Sequence, residues 1–370
     1  MIVGAGASGL SAAGALRCRG IDAEVLEQDA AIGGTWARRY DRLHLHTIRR
    51  FSGLAHYPIP RRYSTYLSRD QFVEYLQEYA SAMRLRVVTD TTVTRIHPSD
   101  AGGNWVIDTA TGSRQARIVV IATGQYRQPI IPEWEGRESY RGRLLHSAAY
   151  TNAVPFAGHR VLVVGAGNSG AEIATDLAEH GAASVAMSVR TPPPVVPRDP
   201  FGMPVQRTSI LLSTLPAAIA NRFGRVTARL TLGDLTRYGF PRAEFTPYTT
   251  KRIPIIDVGF VRALGSGLVT IRPAVERLTS DGAVFADGSS EPFDAIVAAT
   301  GFMTGLERLI NVTGVLDAHG EPIAKSGEPG SAPGLYFMGF VHTLRGHLFE
   351  ANLTSRRLAR NVEEYMARSR

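Results

Sequence analysis

The stretch Met1-Ile2-Val3-Gly4-Ala5-Gly6-Ala7-Ser8-Gly9-Leu10 decides the reading of this chain, because a short apolar strand runs through Gly-x-Gly-x-x-Gly into the helix-forming Ser11-Ala12-Ala13-Gly14-Ala15-Leu16. Gly4 permits the tight turn, Gly6 lets backbone approach a pyrophosphate, and Gly9 lets the helix lie close to the strand. The free N–H groups and partial positive charge of the helix N-terminus then face the phosphates. The next apolar strand, Ala23 to Glu27, ends in an acid 18 residues after Gly9, where a carboxylate can accept hydrogen bonds from ribose hydroxyls. Gly4, Ala5, Gly6, Ser8, Gly9 and Glu27 therefore form a first candidate dinucleotide site. The opening strand has only three residues before Gly4, which predicts a chain that begins late or a sheet frayed at its centre.

The pattern recurs 161 residues on, where Arg160 to Val164 leads into Gly165-Ala166-Gly167-Asn168-Ser169-Gly170 and a second helix. Here the following strand, Ser184 to Val189, ends in Arg190 rather than an acid. An arginine at that place pairs with a 2′-phosphate that an acid would repel, so Gly165, Gly167, Asn168, Ser169, Gly170 and Arg190 read as an NADP site. A solvated strand-end arginine is the competing reading. Each half closes with a continuous apolar strand ending in Ala-Thr-Gly: Ala122-Thr123-Gly124 in the first and Ala299-Thr300-Gly301 in the second. Such runs suit strands buried on both faces, and the chain is expected to cross between domains at these points.

The expected fold is α/β, with two Rossmann-like dinucleotide-binding domains and the second inserted into the first. Residues 1–150 make the first part with a linker, 151–301 the inserted domain, and 302–370 the completion of the first. Residues 201–245 do not fit a Rossmann core and read as a mostly helical excursion: a lid, a dimer contact or plain packing. Ser68 to Gln71 reads as a capping box ahead of an apolar helical stripe. A strand over Gly334 to Gly339 and a helix over Asn352 to Ala367 close the chain.

Composition narrows the chemistry. The 370 residues are 44% hydrophobic and 20% charged, and no run approaches the apolar length of a membrane span. The net charge of +8 (41 basic minus 33 acidic) comes from 39 Arg and only 2 Lys, scattered along the chain, which argues against a nucleic-acid partner. No charged leader precedes the first motif, so the expected localisation is cytoplasmic. One cysteine, Cys18, excludes an internal disulfide, a redox pair and a cysteine zinc site. Two dinucleotides, one of them NADPH, imply hydride transfer to a flavin. The reduced flavin needs an acceptor, and without a cysteine pair oxygen is favoured over a quinone or metal centre.

Further residues carry a family resemblance. Gly33-Gly34-Thr35-Trp36 matches a flavin-domain Gly-Gly-x-Trp, and Tyr40 to His46 with Phe51 to Pro60 resembles a stretch near the flavin. Tyr140 to Tyr150 resembles the Phe-x-Gly-x-x-x-His fingerprint, with Tyr140 in place of Phe. Ala-Thr-Gly-Phe302 and Lys251 to Gly259 match two more landmarks. The chain thus resembles the class B flavin-dependent monooxygenases and is most similar to their YUCCA-type, flavin-containing monooxygenase branch.

The resemblance implies FAD and NADPH as cofactors, a flavin 4a-(hydro)peroxide shielded by retained NADP⁺, and transfer of one oxygen atom to a small organic substrate. That substrate is a nitrogen or sulfur compound or an indole-3-pyruvate-like keto acid. The implied cofactor set adds Gly34, Thr35, Trp36, His46, Val93, Ala122, Thr123, Gly124, Thr300 and Gly301. His46 is the one candidate catalytic residue, against a packing or backbone-bonded histidine. His146 is expected to fix the interdomain linker. His44 and His46 lack a third converging ligand, so no metal is expected. Tyr150-Thr151-Asn152 departs from the Trp-Pro of Baeyer–Villiger relatives, which favours heteroatom or keto-acid oxidation. Arg345 meets a substrate carboxylate or is a surface residue. The partners are the substrate and oxygen, with a homodimer left open. An NADPH oxidase or reductase without oxygenation is the alternative.

Overall fold

The computed structural model describes residues 1–100, 102–250 and 252–368, and these fall into two units. The first comprises 1–37, 47–128 and 302–370, and the second comprises 38–46 and 129–301.

In the first unit the Ile2–Val3 strand is central in a five-stranded parallel sheet. It pairs on one side with Glu24–Leu26 and on the other with Val119–Ile121; Arg86–Val88 and Leu335–Phe337 form the edges. Ile2 and Val3 are buried, and being paired on both sides accounts for how two residues hold a central strand. The Ala7–Arg17 helix follows the glycine loop. Its small residues serve close packing: Ser11 Oγ lies 2.9 Å from Ser355 Oγ on the terminal helix, and a Cβ at Gly14 would meet the Tyr79 hydroxyl. Tyr79 belongs to the Arg69–Ala82 helix, where Ser68 and Gln71 form the reciprocal cap that the sequence signals. The terminal helix spans His347–Arg368 and begins five residues earlier than expected. Its first turn is already closed by the Glu350 N–H donating to the Gly346 carbonyl.

The second unit repeats this plan. Arg160–Val164 is central between Ser184–Ser188 and Ala295–Ala298, with Val269–Arg272 and Arg143–His146 at the edges. Val161, Leu162 and Val163 are fully buried, and each contributes about 1.5–3 kcal/mol by leaving water. Each unit also carries a three-stranded antiparallel sheet: Val93–Pro98, Trp105–Thr109 and Gly112–Ala116 in the first, and Val275–Leu278, Gly282–Phe285 and Ser290–Pro292 in the second.

Two boundaries differ from the expected ones. Residues 129–150 run with the second unit, because Arg143–His146 hydrogen-bonds to Ala295–Ala298, with His146 opposite Ala298. Residues 38–46 do so as well, since Tyr40 is buried in that unit's core with Tyr150 and Ile173. The first break after 150 therefore moves back to 128, and the first stretch loses nine residues in its middle. Residues 201–245 carry the helices Val205–Leu212 and Ala217–Leu232. Lys251, which opens the Lys251 to Gly259 landmark, lies outside the described residues.

Candidate functional site

The two glycine loops are built by one packing rule. A Cβ at Gly9 would lie 1.9 Å from the Gly4 carbonyl oxygen, and one at Gly4 would lie 2.6 Å from the Ala122 carbonyl oxygen. In the second unit the same distances are 2.0 Å, Gly170 to Gly165, and 2.4 Å, Gly165 to Ala299. The strand that ends in Ala-Thr-Gly therefore lies directly under each loop, and its alanine leaves room for the glycines. Gly4 and Gly165 hold φ of +103° and +113°, which glycine adopts without strain.

The loops present free backbone donors. The Ala7–Arg17 helix starts at Gly6 with no side-chain cap and no acid in its first turn, and the Asn168–Glu179 helix starts at Gly167 in the same way. Those N–H groups lack intrahelical partners, and a Cβ at Gly6 or Gly167 would meet no atom within 4 Å. Both ends suit an anion approaching along the helix axis.

In the first unit Glu27 is almost buried, and its carboxylate is held by two donors. Ala5 N–H bonds Oε2 at 2.6 Å, and Asp29 N–H bonds Oε1 at 3.0 Å. A carboxylate has about four acceptor positions, so two remain for ribose hydroxyls. Ser8 backs onto Gly339, where a Cβ would meet its hydroxyl. Gly34 passes Asp29 closely, Thr35 is exposed, and Trp36 stands edge-on to Phe72 with ring centroids 4.7 Å apart. The Val93 side chain is packed in the apolar core, so only its backbone is free to serve a ligand.

Beyond Ala122 lies a polar cluster of Thr123, which the sequence reading named, with Gln125 and His347, which it missed. Gln125 is buried, and its Nε2 lies 3.2 Å from His347 Nε2. Thr123 Oγ1 and Gln125 Oε1 are buried without a hydrogen-bond partner among the described residues. Burial pushes the His347 pKa down, and the His342 charge adds to the shift. Orphaned buried polar atoms imply a ligand with complementary donors and acceptors, so these residues fit a flavin. The sequence signal was the position of Gln125, next after Ala-Thr-Gly. Arg345 is paired with Glu350, with Nη2 2.6 Å from Oε1.

In the second unit the Asn168 side chain acts as a clamp rather than a free ligand group. Its Nδ2 donates to the Pro254 carbonyl at 3.1 Å, and its Oδ1 accepts from Ile256 N–H at 2.8 Å. Arg190 is exposed just beyond the Ser184–Ser188 strand. His46 belongs to this unit: its Nε2 lies 2.8 Å from Oε1 of buried Glu172 on the Asn168–Glu179 helix. Among the described residues that oxygen accepts no well-directed hydrogen bond, so the contact is one of proximity. The Tyr40 hydroxyl faces Glu172 and Ser169, and burial, with the Glu172 charge adding, pushes its pKa well up.

His146 is also buried, and both its ring nitrogens are used. Nδ1 accepts from Ala148 N–H at 3.0 Å, so Nε2 carries the proton and donates to the Gly301 carbonyl at 3.0 Å. Thr300 Oγ1 donates to the Ile130 carbonyl, and Ile130 N–H donates to Gly301. Gly124 and Gly301 face open space. Among the described residues no group of three or more His, Cys, Asp or Glu is arranged to hold a metal.

Comparison with known proteins agrees with this architecture. Residues 1–198 match the family described as pyridine nucleotide-disulphide oxidoreductase. The chain is 38% identical over 358 residues to indole-3-pyruvate monooxygenase YUCCA1 of Oryza sativa subsp. japonica, covering 94% of this chain and 87% of that protein. It is 34% identical over 378 residues to indole-3-pyruvate monooxygenase YUCCA6 of Arabidopsis thaliana, covering 98% and 90%. Among solved structures, the flavin-containing monooxygenase from Stenotrophomonas maltophilia superposes with a TM-score of 0.75 at 26% identity, over 99% of this chain and 98% of that one. A complex of OTEMO with FAD and NADP shares the fold, with a TM-score of 0.76 at 18% identity, over 100% and 84%.

Two nucleotide-loop units with a single cysteine define an FAD- and NADPH-dependent oxidoreductase that cannot pass electrons through an internal disulfide. The chain belongs to the class B flavin-dependent monooxygenases, in the branch of the YUCCA enzymes.

Proposed function

We propose that the chain converts an indole-3-pyruvate-like 2-oxo acid, with NADPH and oxygen, into the carboxylic acid one carbon shorter. The observation that carries this is the 38% identity to rice YUCCA1 across 94% of the chain. One oxygen atom enters at the former keto carbon as its bond to the carboxylate carbon breaks and carbon dioxide leaves. The other oxygen atom leaves as water, with the two electrons of NADPH. Bound FAD supplies the hydride acceptance and oxygen activation that side chains cannot.

The chain's own groups bind and orient. In the first unit, the first-turn N–H groups after Gly6 hold the FAD pyrophosphate and Glu27 holds the ribose, while Thr123 and Gln125 take polar edges of the flavin. In the second unit, the loop from Gly165 to Gly170 holds the NADPH pyrophosphate and Arg190 its 2′-phosphate. We assign His46 a polar contact at the reacting centre, with its ring set against Glu172. The enzyme is placed in the cytoplasm, where reducing conditions suit one free thiol.

The test is NADPH-dependent turnover of indole-3-pyruvate under oxygen-18, with catalase present to remove peroxide that would decarboxylate a 2-oxo acid unaided. The expected product is indole-3-acetate with one labelled atom, in step with NADPH consumed. NADPH consumption that yields only peroxide would instead establish an oxidase. His46→Ala is expected to lower coupled turnover about tenfold, the size of one hydrogen bond, while FAD content stays unchanged.

A further inference from the structure

The helical excursion carries an outer face that no described residue of its unit covers. Its Ala217–Leu232 helix is fixed on the inner side. Buried Asn221 donates to Thr249 Oγ1 at 2.9 Å and accepts from Tyr248 N–H at 3.0 Å, and a Cβ at Gly224 would meet the Phe245 ring. On the outer side Ile219, Phe223, Val226 and Leu230 are each at least 50% exposed. Their spacing of i, i+4, i+7 and i+11 sets them in one row. Phe201 and Leu211, 73% and 68% exposed, extend the apolar surface of the excursion.

Charge accompanies this face. Arg222, Arg225 and Arg229, all exposed, form a second row beside the apolar one. From residue 201 to residue 233 the chain has four arginines, counting Arg207, and no acid, for a local charge of +4. No helix among the described residues is long and apolar enough to cross a membrane. A basic, amphipathic helix with an aromatic on its apolar side has the form of one that lies in a lipid interface.

We propose that the outer face of the excursion docks on an anionic lipid surface, with Phe223 and Leu230 entering the headgroup boundary and the arginine row on the phosphates. A second copy fits the same face poorly. Two-fold pairing would set +4 against +4 and strip water from the arginines without supplying counter-charge. Lipid phosphates supply that counter-charge, at a cost in high salt.

The test is co-sedimentation of the FAD-loaded full chain with phosphatidylcholine vesicles and with vesicles of equimolar phosphatidylcholine and phosphatidylglycerol. Binding to the anionic vesicles alone is expected, weakening with salt. Each arginine replaced in R222Q, R225Q and R229Q should lower partition about fivefold. The double variant F223S/L230S should abolish pelleting. All four variants should keep flavin absorbance, melting temperature and vesicle-free NADPH turnover, since the altered side chains are exposed. Pelleting with neither vesicle, equal pelleting with both, or variants that bind like the parent overturns the proposal. So does a dimer in vesicle-free buffer that F223S/L230S dissolves.

Discussion

Glu27 Oε2 accepts a 2.6 Å hydrogen bond from the N–H of Ala5, which ties the end of the second strand to the turn that leads into the first helix. The carboxylate therefore does two things: it shapes the loop and keeps acceptor positions for a ribose. Glu27→Ala removes both. A hydrogen bond to a charged group is worth about 1.5–3 kcal/mol, so FAD affinity should fall roughly 10- to 150-fold. Fluorescence titration of the flavin-free protein measures this, and unchanged affinity would remove Glu27 from the site.

Gly9→Ala and Gly170→Ala place a methyl group within about 2 Å of a carbonyl oxygen that belongs to the loop backbone. The loop must shift, at a cost of about 1–3 kcal/mol or more. Gly9→Ala should lose FAD on purification. Gly170→Ala should keep FAD yet raise the NADPH concentration needed for flavin reduction. If either variant showed the other's defect, the assignment of cofactors to units would be reversed.

Arg190→Gln separates a phosphate contact from a solvated strand end. Losing one charge-assisted bond of about 1.5–3 kcal/mol should raise KM for NADPH by ten- to a hundredfold and leave KM for NADH as it was. A parallel rise for both nucleotides would count against the 2′-phosphate contact.

His146 gives a pH dependence. Burial lowers its pKa from 6.5, and the nearby Arg39 charge adds to this against the Gly301 hydrogen bond. Below 6.5 the unfolded chain takes up a proton that the folded chain refuses, so stability falls as pH drops from about 6.5 to the lowered folded value. Melting temperature measured across that window should fall less steeply in His146→Gln than in the parent. Identical slopes would show that another group sets the acid limit.

What the sequence made legible was local. Gly4, Gly6 and Gly9 constrain one another within six residues, and the Ser68 cap needs only Gln71, so both read correctly from spacing. The reason for Ala-Thr-Gly did not, because Ala122 meets Gly4 across 118 positions of chain. The same holds for residues 129–150, whose strand finds its neighbour 152 positions later. Asn168 looked like a ligand group because of its motif, and only the fold brings Pro254 and Ile256 to its amide. His46 was read with the flavin stretch around it, yet its neighbour Glu172 comes from the second loop's helix.

Cys18, the sole thiol, is exposed and caps the far end of the Ala7–Arg17 helix. Eleven helical residues at about 1.5 Å each put it roughly 16 Å from the glycine loop. A maleimide dye would attach there alone, on a rigid spacer whose other end is the proposed seat of the FAD pyrophosphate. The molecule thus offers a fluorescent gauge of cofactor loading, read by energy transfer to the isoalloxazine, without a single engineered residue.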